Sequence, residues 1–194
     1  MNPAPEPLLS LVPESLHAVV SNYGQDWSAA CEQAGISPQV EQAELGKVWA
    51  CSEFVARLCI RRPQMVADLV DEGLEEKRSP VDYQQRVAAA IAGAEATDEG
   101  LMRALRLLRQ KEMVRIAWRD LAGLADVEPI LHELSDLAVA VIEQTLDYLQ
   151  QQTMELLGVP RNADGEVQQM LVLAMGKPVS YTHLRAHETN DLIS

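Results

Sequence analysis

Aromatic residues make up only 4% of this 194-residue chain, with one Phe, three Trp and four Tyr. Ala, Leu, Glu and Gln are plentiful instead. That balance favours helices, because unbranched side chains lose little rotamer freedom there. Cysteine is scarce as well. Cys31, Cys51 and Cys59 are odd in number and form no C-x-x-C, so neither a disulfide framework nor a zinc site is indicated. Cys51 and Cys59 fall in an apolar helical pattern and read as buried free thiols of a reducing compartment.

Positive charge is also in short supply, with 16 Lys and Arg against 29 Asp and Glu and a net charge of −13. Such a surface repels phosphates and anionic lipid, which argues against nucleic acid as the main partner. No continuous apolar run is long enough to span a membrane. The opening MNPAPEPLLSLVPES carries Pro and Glu where a signal peptide needs a basic segment. Together these absences predict a cytoplasmic protein without a membrane partner. What is present, 47% apolar and 23% charged residues, fits a globular chain. Its length suits one good core, or one domain plus part of another.

Periodicity predicts helices for most of the chain. Leu8 to Ser21 reads as a helix interrupted early by Pro13, and Asp26 to Ala34 as a short helix ended by Gly35. Ser37-Pro38 is a start signal, since Ser accepts from free N–H groups and Pro has its φ already set. The helix it opens should run to about Ile60, weakened locally at Gly46. Arg61-Arg62-Pro63 is a junction, followed by a short helix from Gln64 to Asp71. Residues 73–80, GLEEKRSP, form a charged loop. Ser79-Pro80 repeats the start signal, and the next helix should turn Val81, Val87, Ala88 and Ile91 inward before Gly93. Thr97 then caps a long helix, Glu99 to Leu121, with acidic residues at its positive end. A second long helix spans Asp126 to Leu157 and should pack antiparallel to the first across the loop at Gly123. After the turn Asn162-Ala163-Asp164-Gly165, residues 169–175 read as a buried strand leading to Gly176-Lys177. One strand cannot satisfy its own backbone, so it looks like the start of an α/β domain.

The helix from Glu99 to Leu121 organises the chain. It carries Arg103, Arg106, Arg109, Lys111, Arg115 and Arg119, six of the 16 basic residues. They form no single stripe on a helical wheel, and apolar residues surround the axis. They read best as arginines paired with neighbouring acids, Glu112 with Arg109 or Arg115 and Glu99 with Arg103. His183 and His187 have helical ligand spacing, but the order is not H-E-x-x-H and no third ligand follows. Gly176-Lys177 lacks the spacing of a P-loop. His17 and His132 read as structural, and no Ser–His–Asp or Cys–His arrangement follows from spacing.

Leu105 to Leu121 matches the pattern L-R-x-x-R-x-x-E-M-x-R-I-A-W-R-D-L. In this it resembles the N-terminal region of the bacterial bifunctional glutamate–ammonia-ligase adenylyltransferases. Ser52-Glu53-Phe54-Val55, Ser135-Asp136-Leu137-Ala138 and Val172 to Lys177 also resemble segments of that family. The resemblance covers roughly Leu8 to Lys177. It implies a mostly α helical bundle of six or seven helices over residues 1–158. Residues 159–177, with the stray C-terminal strand, would be the start of a truncated nucleotidyltransferase domain.

It further implies an enzyme that transfers AMP from Mg²⁺·ATP to a tyrosine of glutamine synthetase and removes it by phosphorolysis. PII-type signal proteins would regulate both activities. Gly176 and Lys177 would begin the glycine-rich turn that approaches the nucleotide. The family's Ser-Asp-x-Asp metal motif should follow that turn, because hard cations require oxygen ligands. Here residues 178–194, PVSYTHLRAHETNDLIS, contain no such motif. They read as a tail foreign to the family, and the chain as a truncated, catalytically inactive leading segment. The alternative is a standalone helical module that binds glutamine synthetase or a regulator without chemistry.

Overall fold

The first structured residues form a single helical turn, α1 (Glu6–Leu9), whose Leu8 is 1% exposed. Leu8 is seated by two glycines. A Cβ on Gly24 would lie 2.6 Å from Leu8 Cδ2, and one on Gly46 would overlap the Leu8 carbonyl. The computed structural model describes residues 6–172. Within them are eight α-helices. After α1 and a 3-10 turn at Glu14–Leu16 come α2 (His17–Ala34), α3 (Gln42–Cys51), α4 (Glu53–Arg61) and α5 (Pro63–Asp71). Then follow α6 (Pro80–Ala92), α7 (Asp98–Ala122) and α8 (Val127–Leu157). The mostly α class expected from composition is what forms, with one more long-range division than the periodicity suggested.

That division separates two compact units within the described residues, 6–77 with 110–130 and 78–109 with 131–172. Both units draw on the helical region expected over residues 1–158. In the first unit α1 packs on α2 and α3, and α2 packs on α4 and α5. Trp27 and Trp49 meet edge to face at 5.9 Å, and Tyr23 meets Trp49 at 6.4 Å, so three of the few aromatics share one cluster. Val20, Leu45, Val55, Leu69, Val114 and Trp118 complete that core. In the second unit Tyr83, Val87, Leu101, Leu137 and Ala140 are buried.

Several boundaries moved, each for a local reason. The two helices expected from Leu8 to Ala34 are a turn and one continuous α2, because Gly24 is a packing site for Leu8 rather than a stop. The helix expected from Pro38 to Ile60 starts at Gln42 and breaks at Ser52. Ser52 leaves the helical region (φ −145°, ψ 101°) and its Oγ accepts from Val55 N, so it caps α4. On α6 the inward face is Tyr83 and Val87, while Val81 and Ala88 are exposed. Cys51, expected to be buried, is exposed, since it ends α3 at that break. The strand expected over 169–175 is absent from its described part, 169–172. Among the described residues its backbone has no neighbouring strand with which to exchange hydrogen bonds. Only an isolated bridge, Arg161 to Val167, closes the preceding turn.

Other start and stop signals are met. Arg62 breaks before Pro63, and Thr97 Oγ1 accepts from Gly100 N at 3.0 Å. The α7 end closes through Gly123 at φ 83°, with Leu124 N donating to Arg119 O at 2.8 Å.

Candidate functional site

The C-terminal half of α7 holds the densest polar arrangement in the first unit. Glu112 and Arg115 are three residues apart, so they lie on one helix face, and both are fully buried. Arg115 Nε donates to Glu112 Oε2 at 3.1 Å. Arg115 Nη1 donates to the carbonyl of Glu76 at 2.7 Å. One turn on, Arg119 Nε donates to the carbonyl of Glu75 at 2.9 Å. Lys111 Nζ reaches Glu72 Oε1 at 2.6 Å. Three cations of α7 thus converge on one acidic segment, 72–76, which connects α5 to α6. Lys47 Nζ donates to Ala122 O at 2.8 Å and ties the helix end to α3.

Guanidinium forks suit this task, because a rigid array of donors can serve a carboxylate and a carbonyl together. The segment turns at Gly73 (φ 84°), a conformation that L side chains rarely adopt. Burying an ion pair carries a large desolvation cost, which is recovered only when hydrogen bonds satisfy both groups. The Arg115 bonds to a carboxylate and to a carbonyl meet that requirement. Chemically, the arrangement fixes a chain reversal. Its cations are directed at protein oxygens.

Of the pairings expected from sequence, Glu112 with Arg115 forms. Glu99 and Arg103 form no ion pair, and both face solvent. Arg106 and Arg109 on the α7 stretch within the second unit are exposed too. Spacing gave no warning that backbone carbonyls of 75 and 76 would be the acceptors, since a carbonyl has no residue signature. It also missed Tyr83, whose hydroxyl donates to the buried Glu133 Oε2 at 3.1 Å. A signal for Glu133 existed, because it lies three and four residues from the buried Ile130 and Leu137 on one helical face.

A cleft of about 260 Å³ lies beside the braced segment. It is lined by Glu41, Glu44, Glu75 and Glu76 among others. Four carboxylates disfavour a nucleotide triphosphate there. Mg²⁺, which the resemblance implies, takes oxygen ligands. Among the described residues, no group of three or more His, Cys, Asp or Glu is placed to hold a metal ion. Gly176 and Lys177, the residues expected at the nucleotide, lie outside the described residues, as do His183 and His187. Among the described residues, no helix is long and apolar enough to cross a membrane.

Two groups near these elements have displaced acidities. Burial pushes the Cys59 thiol up to about 12, outweighing the opposing pull of the Trp49 indole. At the head of α6, hydrogen bonds from the Ser79 backbone and hydroxyl hold the Asp82 carboxyl below its ordinary range.

Comparison with known proteins places these features in a family context. The sequence model for glutamate-ammonia ligase adenylyltransferase matches residues 42–180, which include all of α7 and its brace. The chain is 40% identical over 174 residues to the bifunctional glutamine synthetase adenylyltransferase/adenylyl-removing enzyme of Thioalkalivibrio sulfidiphilus. That match covers 89% of this chain and 18% of the relative. The like-named protein of Nitrosococcus oceani is 42% identical over 132 residues, 67% of this chain and 14% of that one. The one from Pseudomonas putida is 34% identical over 179 residues, 88% of this chain and 18% of that one. In each match the chain spans less than a fifth of the relative's length.

Proposed function

Because the chain belongs to the glutamate–ammonia ligase adenylyltransferase family, we propose that it is the helical support region of an enzyme that adenylylates and deadenylylates glutamine synthetase. The observation that carries this reading is the family match over 42–180, which contains the Arg115–Glu112 brace. In this reading AMP passes from Mg²⁺·ATP to a tyrosine of glutamine synthetase and leaves by phosphorolysis, in the cytoplasm. PII-type signal proteins set the balance between the two directions. The α7 brace fixes the helical region so that a nucleotidyltransferase domain can be held beside it. Gly176 and Lys177 lead into that domain.

The 194 residues contain no Ser-Asp-x-Asp, so by themselves they transfer no nucleotide. The test uses adenylylated glutamine synthetase with Mg²⁺ and phosphate. No release of ADP above the protein-free rate is the expected result, and turnover proportional to chain concentration would overturn it. A non-catalytic binding module is the second reading, favoured by the exposed Arg103, Arg106 and Arg109. Retention of glutamine synthetase or a PII-type protein by the immobilised chain, lost when these three are changed to Gln, would support it.

A further inference from the structure

The C-terminal part of α8 carries a surface that the other described residues leave uncovered. Leu156 and Leu157 are each 83% exposed, and Met170 is 66% exposed. Between α8 and the segment after it runs a groove of about 410 Å³. Leu146, Leu149, Met154, Leu157, Val159 and Met170 line it, and no charged residue does. A contiguous apolar surface in water is unfavourable, and such patches mark contact sites. A helix end without tertiary packing gains little from propensity alone.

Two further observations identify the occupant. The groove lies at the end of the described chain, directly before residues 173–180, where the family match continues. The relatives are more than five times longer than the matched part. The surroundings are acidic. Asp147, Glu155 and Glu166 are exposed nearby, and Arg161 is the one Lys or Arg between 131 and 172. A second copy of this chain would bring the same acidic rim and be repelled.

We propose that the groove at the end of α8 is the seat of the folded polypeptide that follows the matched region in the longer relatives, which meets it with an apolar patch rimmed by basic residues. This rests on the reading above that such a region follows.

Thiol accessibility tests it. In a Cys51→Ser background, Leu157→Cys serves as the probe and the exposed Val127→Cys as the reference. Each is placed in the 194-residue chain and in a chimera joining residues 1–177 to the rest of the Thioalkalivibrio sulfidiphilus enzyme. Maleimide labelling of Leu157→Cys should be at least roughly tenfold slower in the chimera, with the reference unchanged. Equal labelling in both overturns the proposal. Protection that rises with concentration in the 194-residue chain alone also overturns it, in favour of self-association. Removal of AMP from glutamine synthetase is measured on the same chimera. A protected but inactive chimera fails only the functional reading, and an active, unprotected one fails only the docking. Should the chimera not fold, hydrogen exchange in the full-length relative decides. Its helix end aligned with 146–157 should exchange at least roughly tenfold slower than here, and an equal rate refutes the seat.

Discussion

Arg115 and Glu112 show how one residue pair can decide the fate of a whole helix. Both are fully buried 3.1 Å apart, so changing Arg115→Met removes a cation paired with an enclosed carboxylate. Urea unfolding should show a loss of about 3–5 kcal/mol. The double variant with Glu112→Leu should lose much less than the sum of the single changes. Additive losses would mean that the pair does not act as a unit. Cys59 supplies a pH test. Its folded pKa is raised to about 12 from 9.0, so between those values the unfolded thiol has lost its proton while the folded one keeps it. Stability should therefore fall as pH rises from 9 towards 12, by up to about 1.4 kcal/mol per unit from this group. A Cys59→Ala variant should lack that slope. At this scale the sequence was partly legible. The i,i+3 spacing offered Glu112 both Arg109 and Arg115, and burial chose Arg115, whereas the carbonyls of Glu75 and Glu76 became acceptors only through a chain reversal.

Helix starts show why an identical signal can succeed once and fail once. Ser79-Pro80 opens α6 because Asp82 stands at the third helical position and closes a reciprocal box. Ser79 N donates to Asp82 Oδ2 at 2.7 Å, and Asp82 N donates to Ser79 Oγ at 3.3 Å. At Ser37-Pro38 the same position is Val40, which cannot reciprocate, and the helix waits until Gln42. Ser79→Ala should cost about 1 kcal/mol. Because hydrogen bonding depresses the Asp82 pKa, its contribution is present above the ordinary carboxylate range and lost as pH falls through the folded value. The Ser79→Ala penalty should accordingly shrink in acid, as followed by thermal unfolding at a series of pH values. Gly46 is legible only in three dimensions. The sequence marks it as a weak point of a helix, but it admits the Leu8 carbonyl against α3. Gly46→Ala should destabilise by about 1–3 kcal/mol or more, despite its better helix propensity.

Across the whole molecule, composition was enough for the mostly α class, and periodicity for the two longest helices. The division into two units was not legible, because α7 and α8 run through both without any break in pattern. The lone strand was misread for a related reason. Its apolar run has strand character, but pairing is a property of partners that residues 169–172 do not have. Charge organises the remainder. A chain of net charge −13 aims three of the six cations of α7 at its own acidic segment. These cations brace protein and do not grip phosphate. Calorimetric titration of the 194-residue chain with ATP, with and without Mg²⁺, tests this most directly. No binding tighter than about 1 mM is expected. Stoichiometric binding in the micromolar range that Arg119→Gln abolishes without unfolding the chain would contradict it.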